Sequence, residues 1–160
     1  MLEDNVLRLM GGTSYVKNAL NETKLGTTLQ FSVKRGEATE GSEEILFESF
    51  NTQIKASING SGNFGFTRES MDYVSDYQLP IGEWVDVALT SRLKVTELYI
   101  NGELVHTFTR NDDLKTYNAT VLLPVGTIGS ETDSFVGSID NVRLVNAVDV
   151  DTTFTDKSEL

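Results

Sequence analysis

The sequence contains no cysteine. That excludes a disulfide framework, cysteine zinc sites and thiol catalysis together. It has one histidine, His106, which leaves no His-cluster metal site and a single imidazole as candidate base. Proline occurs twice and tryptophan once, at Trp84. Positive charge is scarce: 13 Lys and Arg stand against 24 Asp and Glu, for a formal net charge of −11. Such a surface repels phosphate backbones and anionic lipid, which counts against nucleic acid and membrane as partners. No apolar run approaches the roughly 18–20 residues that cross a bilayer, so no membrane insertion is expected. Met1-Leu2-Glu3-Asp4 lacks the basic and apolar regions of a signal peptide. What is present is 160 residues, enough to bury one core without a metal or disulfide staple.

Strand signals dominate what is there. Leu29, Phe31 and Val33 alternate with Gln30, Ser32 and Lys34, the period-2 pattern of a half-buried strand. The same alternation runs through 53–58 (Ile54, Ala56, Ile58), 63–68 (Phe64, Phe66) and 84–90 (Val85, Val87, Leu89). The last of these is fairly apolar on both faces, as a central strand would be. Further runs cover 45–47, 120–123, 135–136 and 139–145. No window of eleven or more residues carries a convincing helical repeat; Tyr15 to Leu25 holds a turn of helix at most.

Turns are well marked. Asn101-Gly102 sits between two apolar runs, and both central residues of a type I′ turn need positive φ, which Asn and Gly tolerate. A two-residue loop there pairs Ile100 with Glu103, Tyr99 with Leu104 and Glu97 with His106. Leu98, Ile100 and Val105 then share the core face. Asn59-Gly60-Ser61-Gly62 closes a second hairpin. The acidic loop 36–44 reads as solvated and mobile. Ten to twelve short strands with turns between them make an antiparallel sandwich whose sheets each keep one solvated face.

Two stretches resemble a known family. The first is Glu83-Trp84-Val85-Asp86-Val87-Ala88 with Leu98-Tyr99-Ile100-Asn101-Gly102. The second is Phe135-Val136-Gly137-Ser138-Ile139-Asp140-Asn141-Val142-Arg143. Together they resemble the concanavalin A-like, laminin-G-type jelly roll, and the ordered match covers most of residues 79–145. The resemblance implies an all-β jelly-roll sandwich with Trp84 as a core residue. Shorter stretches, among them Gly11-Gly12-Thr13-Ser14-Tyr15-Val16 and Gly65-Phe66-Thr67-Arg68-Glu69, are similar to the non-catalytic module of bacterial family 20 glycoside hydrolases. Those enzymes are β-N-acetylhexosaminidases and lacto-N-biosidases. This likeness implies an accessory module of a secreted or surface enzyme, with an adjoining catalytic domain as its partner.

An enzyme of this fold needs paired carboxylates. The nearest candidate is Glu131-Thr132-Asp133, but Val136 stands where the third acid of a Glu-x-Asp-x-x-Glu motif belongs, and the segment reads as a loop. Glu43-Glu44 and Asp112-Asp113 are adjacent pairs and read as solvated acidic loops. No catalytic residue is assigned. Sugar modules stack aromatic rings on apolar sugar faces and bond hydroxyls with planar polar groups. Tyr73 and Tyr77 are the best ring candidates, with Arg68 as a bidentate donor. All three lie in what reads as a loop, 68–77. Tyr117 and Asn118, in the loop 111–118, complete the set, and Phe50-Asn51 marks a third loop. The resemblance also implies one structural Ca²⁺ on Asp140, with oxygens from the region of Asp4, Asn5 and Gly12 completing its shell.

The expectation is therefore one concanavalin A-like domain over 1–148, followed by an acidic tail or linker, 149–160. It would be a non-catalytic, extracellular bacterial module that binds a glycan, containing N-acetylhexosamine or galactose. The alternative is a structural module that packs on the catalytic domain without binding sugar.

Overall fold

The computed structural model describes residues 2–3, 6–12, 15–20, 26–49, 52–92, 95–109 and 126–145. Thirteen strands appear among them. They are β1 (Leu2–Glu3), β2 (Val6–Gly12), β3 (Tyr15–Leu20), β4 (Thr27–Arg35), β5 (Glu44–Glu48), β6 (Thr52–Ser57) and β7 (Gly65–Arg68). They continue with β8 (Met71–Val74), β9 (Trp84–Arg92), β10 (Val95–Ile100), β11 (Glu103–Thr109), β12 (Gly126–Gly129) and β13 (Ser134–Val145). The run expected at 120–123 and the tail 149–160 lie outside the described residues.

The strands form two sheets. One runs β1-β2-β13-β4-β9-β10-β11, antiparallel throughout. The other runs β3-β12-β5-β6-β7-β8, also antiparallel. A single parallel bridge between Ser134 and Ile45 makes the hydrogen bonding continuous between them. The inward residues meet in one core. Phe31 of β4 packs on Phe47 of β5 with ring centroids 4.8 Å apart, and Phe66 of β7 meets Phe108 of β11 edge-on at 5.0 Å. Leu29, Phe31, Val33, Val87 and Leu89 are buried as the alternation requires, and so are Ile54, Ala56, Phe64 and Phe66. β9 lies between β4 and β10, the central position its two apolar faces indicated.

Several local expectations change. Tyr15–Leu20 is strand β3, because pairing with β12 satisfies its backbone where a short helix would have had to stand on a weak repeat. The β10–β11 hairpin begins as read, with Ile100 opposite Glu103 and Tyr99 opposite Leu104 across the positive-φ pair Asn101 and Gly102. The register then slips: Leu98 faces His106 and Glu97 faces Thr107. A bulge of one residue flips every later side chain, so Val105 is exposed and not in the core. His106 lies against Phe108, ring centroids 4.6 Å apart, and is not the cross-strand partner of Glu97. Residues 68–77 are not a loop: Glu69 and Ser70, at φ 50° and 67°, turn β7 into β8. Neither is glycine or asparagine, so no composition signal marked this turn.

The segment around Glu43-Glu44 is also more ordered than its charge suggested. Glu44 is buried and takes two hydrogen bonds from Arg35, Nε to Oε1 at 3.0 Å and Nη2 to Oε2 at 2.6 Å. The third arm of the guanidinium donates to the Leu79 carbonyl at 3.1 Å. The bond to Glu44 holds the Arg35 pKa above its usual value, against the opposing effect of burial. This forked pair ties the end of β4 in one sheet to the start of β5 in the other. Glu43 meets Lys55 Nζ at 3.0 Å.

Two substitutions test this frame. A Cβ at Gly137 would stand 2.2 Å from the Lys34 carbonyl oxygen at a φ of 149°. Gly137→Ala is expected to lower stability by about 1–3 kcal/mol or more, as an overpacked backbone crossing. An unchanged urea midpoint would show that the crossing relaxes freely. Glu44→Ala leaves the half-buried Arg35 without its carboxylate and is expected to cost about 3–5 kcal/mol in the same assay.

Candidate functional site

The residues singled out for sugar binding fall around β7. Phe64, Phe66 and Arg68 alternate toward the interior along this strand, and each is buried. Arg68 is 7% exposed, with Nη2 3.9 Å from Glu69 Oε1. Tyr73 is the cross-strand partner of Phe66 and stacks on its ring at 4.7 Å and 15°. One face of Tyr73 is therefore taken by the core. Tyr77 follows β8, and its carbonyl accepts the Phe64 N–H at 2.8 Å. Burial pushes its phenol above the usual value, and the charge of Glu83 adds to the effect. Arg68 and Tyr77 thus mark opposite ends of β7, about 13 Å apart at a strand's rise per residue. Tyr73 lies between them. Tyr117, Asn118 and the Phe50-Asn51 pair lie outside the described residues.

The outward side of the same hairpin holds a cleft of about 340 Å³, lined by Glu48, Thr52, Gln53, Thr67, Glu69 and Ser70. Register aligns three of them, Glu48, Gln53 and Thr67, in a polar belt that continues to Thr127 of β12 on one side and Asp72 of β8 on the other. Gln53 Nε2 donates to Glu48 Oε1 at 2.9 Å, and the Thr67 hydroxyl donates to Asp72. That bond, with a second from Asn59 Nδ2 at 2.8 Å, holds the Asp72 pKa below the usual carboxylate range despite some burial. The belt was missed in the sequence because its members are ordinary polar residues, one on each of five strands. Only register brings them together.

The other sheet places Trp84 where the resemblance did not. Trp84 precedes Val85 in β9 and faces outward, half-buried, as the cross-strand neighbour of Lys34. It is not in the core cluster. The strand alternation, with Val85, Val87 and Leu89 inward, already required this phase.

Asp140 sits in β13 opposite Ser32, just before a bulge at Asn141. Ser32 lies opposite Asp86 and donates to its Oδ1 at 2.9 Å. Leu7 pairs with Ile139, so β2 leads back toward Asn5 and Asp4, which lie outside the described residues. Gly12 pairs with Ser134, about 20 Å along β13 from Asp140 at a strand's rise, so it cannot share a shell with that carboxylate. Among the described residues no three His, Cys, Asp or Glu side chains converge to hold a metal. Glu131 and Asp133 are exposed in the turn between β12 and β13, as the loop reading required. Among the described residues no helix is long and apolar enough to cross a membrane.

The two sheets, their shared core and the polar outer belt define a β-sandwich module of the lectin and glucanase type. The chain belongs to the concanavalin A-like lectin/glucanases superfamily, whose family model matches residues 10–149. A search of curated proteins gives no match. Among solved structures, the fold is similar to domain 4 of AbnA, an extracellular arabinanase from Geobacillus stearothermophilus, in complex with arabinotriose. That pair has a TM-score of 0.59 and 18% identity, covering 89% of this chain and 66% of that one. It is also similar to Trypanosoma rangeli sialidase, with a TM-score of 0.61 and 15% identity, covering 92% of this chain and 26% of that one. A third similar structure is the receptor-binding domain of botulinum neurotoxin mosaic serotype C/D. Its TM-score is 0.56 at 15% identity, covering 76% of this chain and 33% of that one. The chain thus spans under two thirds of each of these proteins. At such identities the likeness is one of fold.

Asp72 generates a pH prediction. Its folded pKa lies below the unfolded value of about 3.9, so it contributes stability above that pH and loses it as pH falls through the lower folded value. The side chain is exposed, so the contribution is small. Asp72→Asn is expected to flatten that part of the acid-unfolding curve and leave neutral stability lower. An acid limb identical to that of the parent protein would refute the assignment.

Proposed function

We propose that this chain is a non-catalytic carbohydrate-binding module, joined in its parent protein to a glycan-degrading catalytic domain. The observation that carries this reading is the polar cleft along β5, β6, β7 and the turn after β7. Hydroxyl, amide and carboxylate groups are the partners that sugar hydroxyls need, and few cations compete for them. The arabinotriose bound by the similar arabinanase domain supports the same ligand class. Tyr73, Tyr77 and Arg68, on the inner side of this hairpin, and Tyr117 and Asn118, outside the described residues, belong to the same reading by residue type alone. The finer reading is a bacterial, extracellular module of the family 20 type, taking N-acetylhexosamine- or galactose-containing glycans. Calcium belongs to this reading through Asp140 alone, with Asp4 and Asn5 as the remaining ligand sources.

A second reading is a module that packs on the catalytic domain without binding sugar. It draws on exposed apolar side chains at both sheet edges: Met71 and Val74 on β8, Leu104 and Val105 on β11. A glycan array, followed by calorimetric titration with N-acetylglucosamine, N-acetylgalactosamine and galactose oligosaccharides, separates the two. Binding that Gln53→Ala weakens roughly 3- to 10-fold, the worth of one hydrogen bond, supports the sugar module. Silence at millimolar sugar leaves the packing module. A melting temperature unmoved by chelator removes the calcium.

A further inference from the structure

A pocket of about 230 Å³ opens on the outer side of β13, at the end where the two sheets join. Glu43, Glu44 and Asp133 line it, and among the described residues no Lys or Arg does. Two of the three acids are already neutralised. Glu44 is held by Arg35 and Glu43 by Lys55, and neither cation belongs to the lining. Asp133 is different. It is exposed, and no ion pair or hydrogen bond reaches its carboxylate among the described residues. The backbone on either side of it is pinned. The buried Ser130 hydroxyl accepts the Thr132 and Asp133 N–H groups at 3.1 and 3.2 Å. The Asp133 carbonyl accepts the Ile45 N–H at 2.9 Å.

A second, independent feature of the same pocket is Ser134. It is 5% exposed, and its Oγ has no hydrogen-bond partner. A buried hydroxyl left in that state destabilises the fold unless something meets it. Strand phase aims it. Phe135 and Ile139 are inward, so Ser134 and Val136 take the outward phase of β13. Ser134 stands opposite Gly12 of β2 and Val136 opposite Met10, and all four line the pocket. Gly12 has no side chain to cover the hydroxyl, and a Cβ there would meet nothing within 4 Å beyond its chain neighbours. The positive charge of this sheet face is distant. Arg8, Ser138, Lys34 and Trp84 align across β2, β13, β4 and β9. Ser138 is about 13 Å along the strand from Ser134, beyond the screening length of about 8 Å at physiological ionic strength.

We propose that this pocket binds the primary ammonium of a non-acetylated amino sugar, a glucosamine unit, with its N–H groups donating to the Asp133 carboxylate and the Ser134 hydroxyl. The inference rests on the sugar-binding reading and adds a separate site and a ligand class to it. Donors and acceptors make the assignment. An ammonium has donors and no acceptor, which complements an unpaired carboxylate beside an unsatisfied hydroxyl. An acetamido group carries no charge and gains less from Asp133. A lysine side chain would bring the same ammonium on an apolar stem. Thr39, Ser42 and Thr132 add further hydroxyls to the lining, which suit those of a sugar ring. Exposed Met10 and half-buried Val136 supply an apolar wall for its face.

The test is calorimetric titration of the whole chain with the β-1,4-linked trimer of glucosamine and with its fully N-acetylated counterpart, at low and at high salt. The amine is expected to bind about tenfold or more tighter than the acetylated sugar, with affinity falling as salt rises. Asp133→Asn changes an exposed side chain, should leave the melting temperature in place, and should remove most of that preference. Ser134→Ala deletes an unpartnered buried hydroxyl, so it should keep or raise the melting temperature while weakening the amine several-fold. Gln53→Ala, in the other cleft, should leave the preference unchanged. Equal binding of amine and acetylated sugar, or a preference that survives Asp133→Asn, overturns the inference while leaving a sugar module intact. A lower melting temperature for Ser134→Ala also overturns it, by showing that the fold already uses the hydroxyl. Tighter binding of Nα-acetyl-lysine methylamide than of the glucosamine trimer overturns the sugar assignment and gives the pocket to a peptide. Failure of every saccharide removes both readings.

Discussion

Everything in this molecule hangs on how closely β13 can pass its neighbours. This strand pairs with β2 and β4 in one sheet and reaches β5 of the other through Ser134 and Ile45. At Gly137 its backbone comes so near Lys34 that no side chain fits, and the Val136 carbonyl accepts the Gly36 N–H at 2.8 Å. The Ser134–Ile45 bridge joins the two sheets at that end, where the Arg35–Glu44 pair clamps them. With that end fixed, the twist of each sheet sets where the inward aromatics meet.

The same crossing positions both outer faces. On one side of it, β2, β13, β4 and β9 lie in register, and their outward side chains form the row that includes Lys34 and Trp84. On the other, β5 leads into β6, β7 and β8, whose outward side chains form the polar belt around Gln53 and Thr67. The core between them is aliphatic and aromatic and carries no chemistry of its own. The two outer faces differ in charge: the belt carries hydroxyl, amide and carboxylate groups, and the row includes Arg8 and Lys34.

Much of the fold was legible because alternation is a local property. Phe31 is inward and Ser32 outward whatever the strand pairs with, and Asn101-Gly102 turns the chain because few other dipeptides accept two positive φ values. The sites were legible only in part. Tyr73, Tyr77 and Arg68 were found by residue type, yet their loop is a hairpin and each is partly or wholly covered by core packing. Glu43 and Glu44 looked like solvated acids, but Glu44 is buried because Arg35 reaches it from the other sheet. Gly12 looked close to Asp140 only until strand register put them at different ends of β13.

The sequence by itself determined the class of fold, the core residues, two of the turns, and which face of β4 and β9 each side chain takes. Trp84 faces outward for that reason alone, as strand phase required. Tertiary structure decided what stands beside what. The rows Arg8, Ser138, Lys34, Trp84 and Glu48, Gln53, Thr67, Asp72 draw on residues scattered along most of the chain, and only hydrogen-bond register aligns them. The physical reason is that phase within a strand depends on neighbours in sequence, whereas register between strands is set by the whole packed sandwich. A single bulge, such as the one at Val105, resets it for every residue that follows.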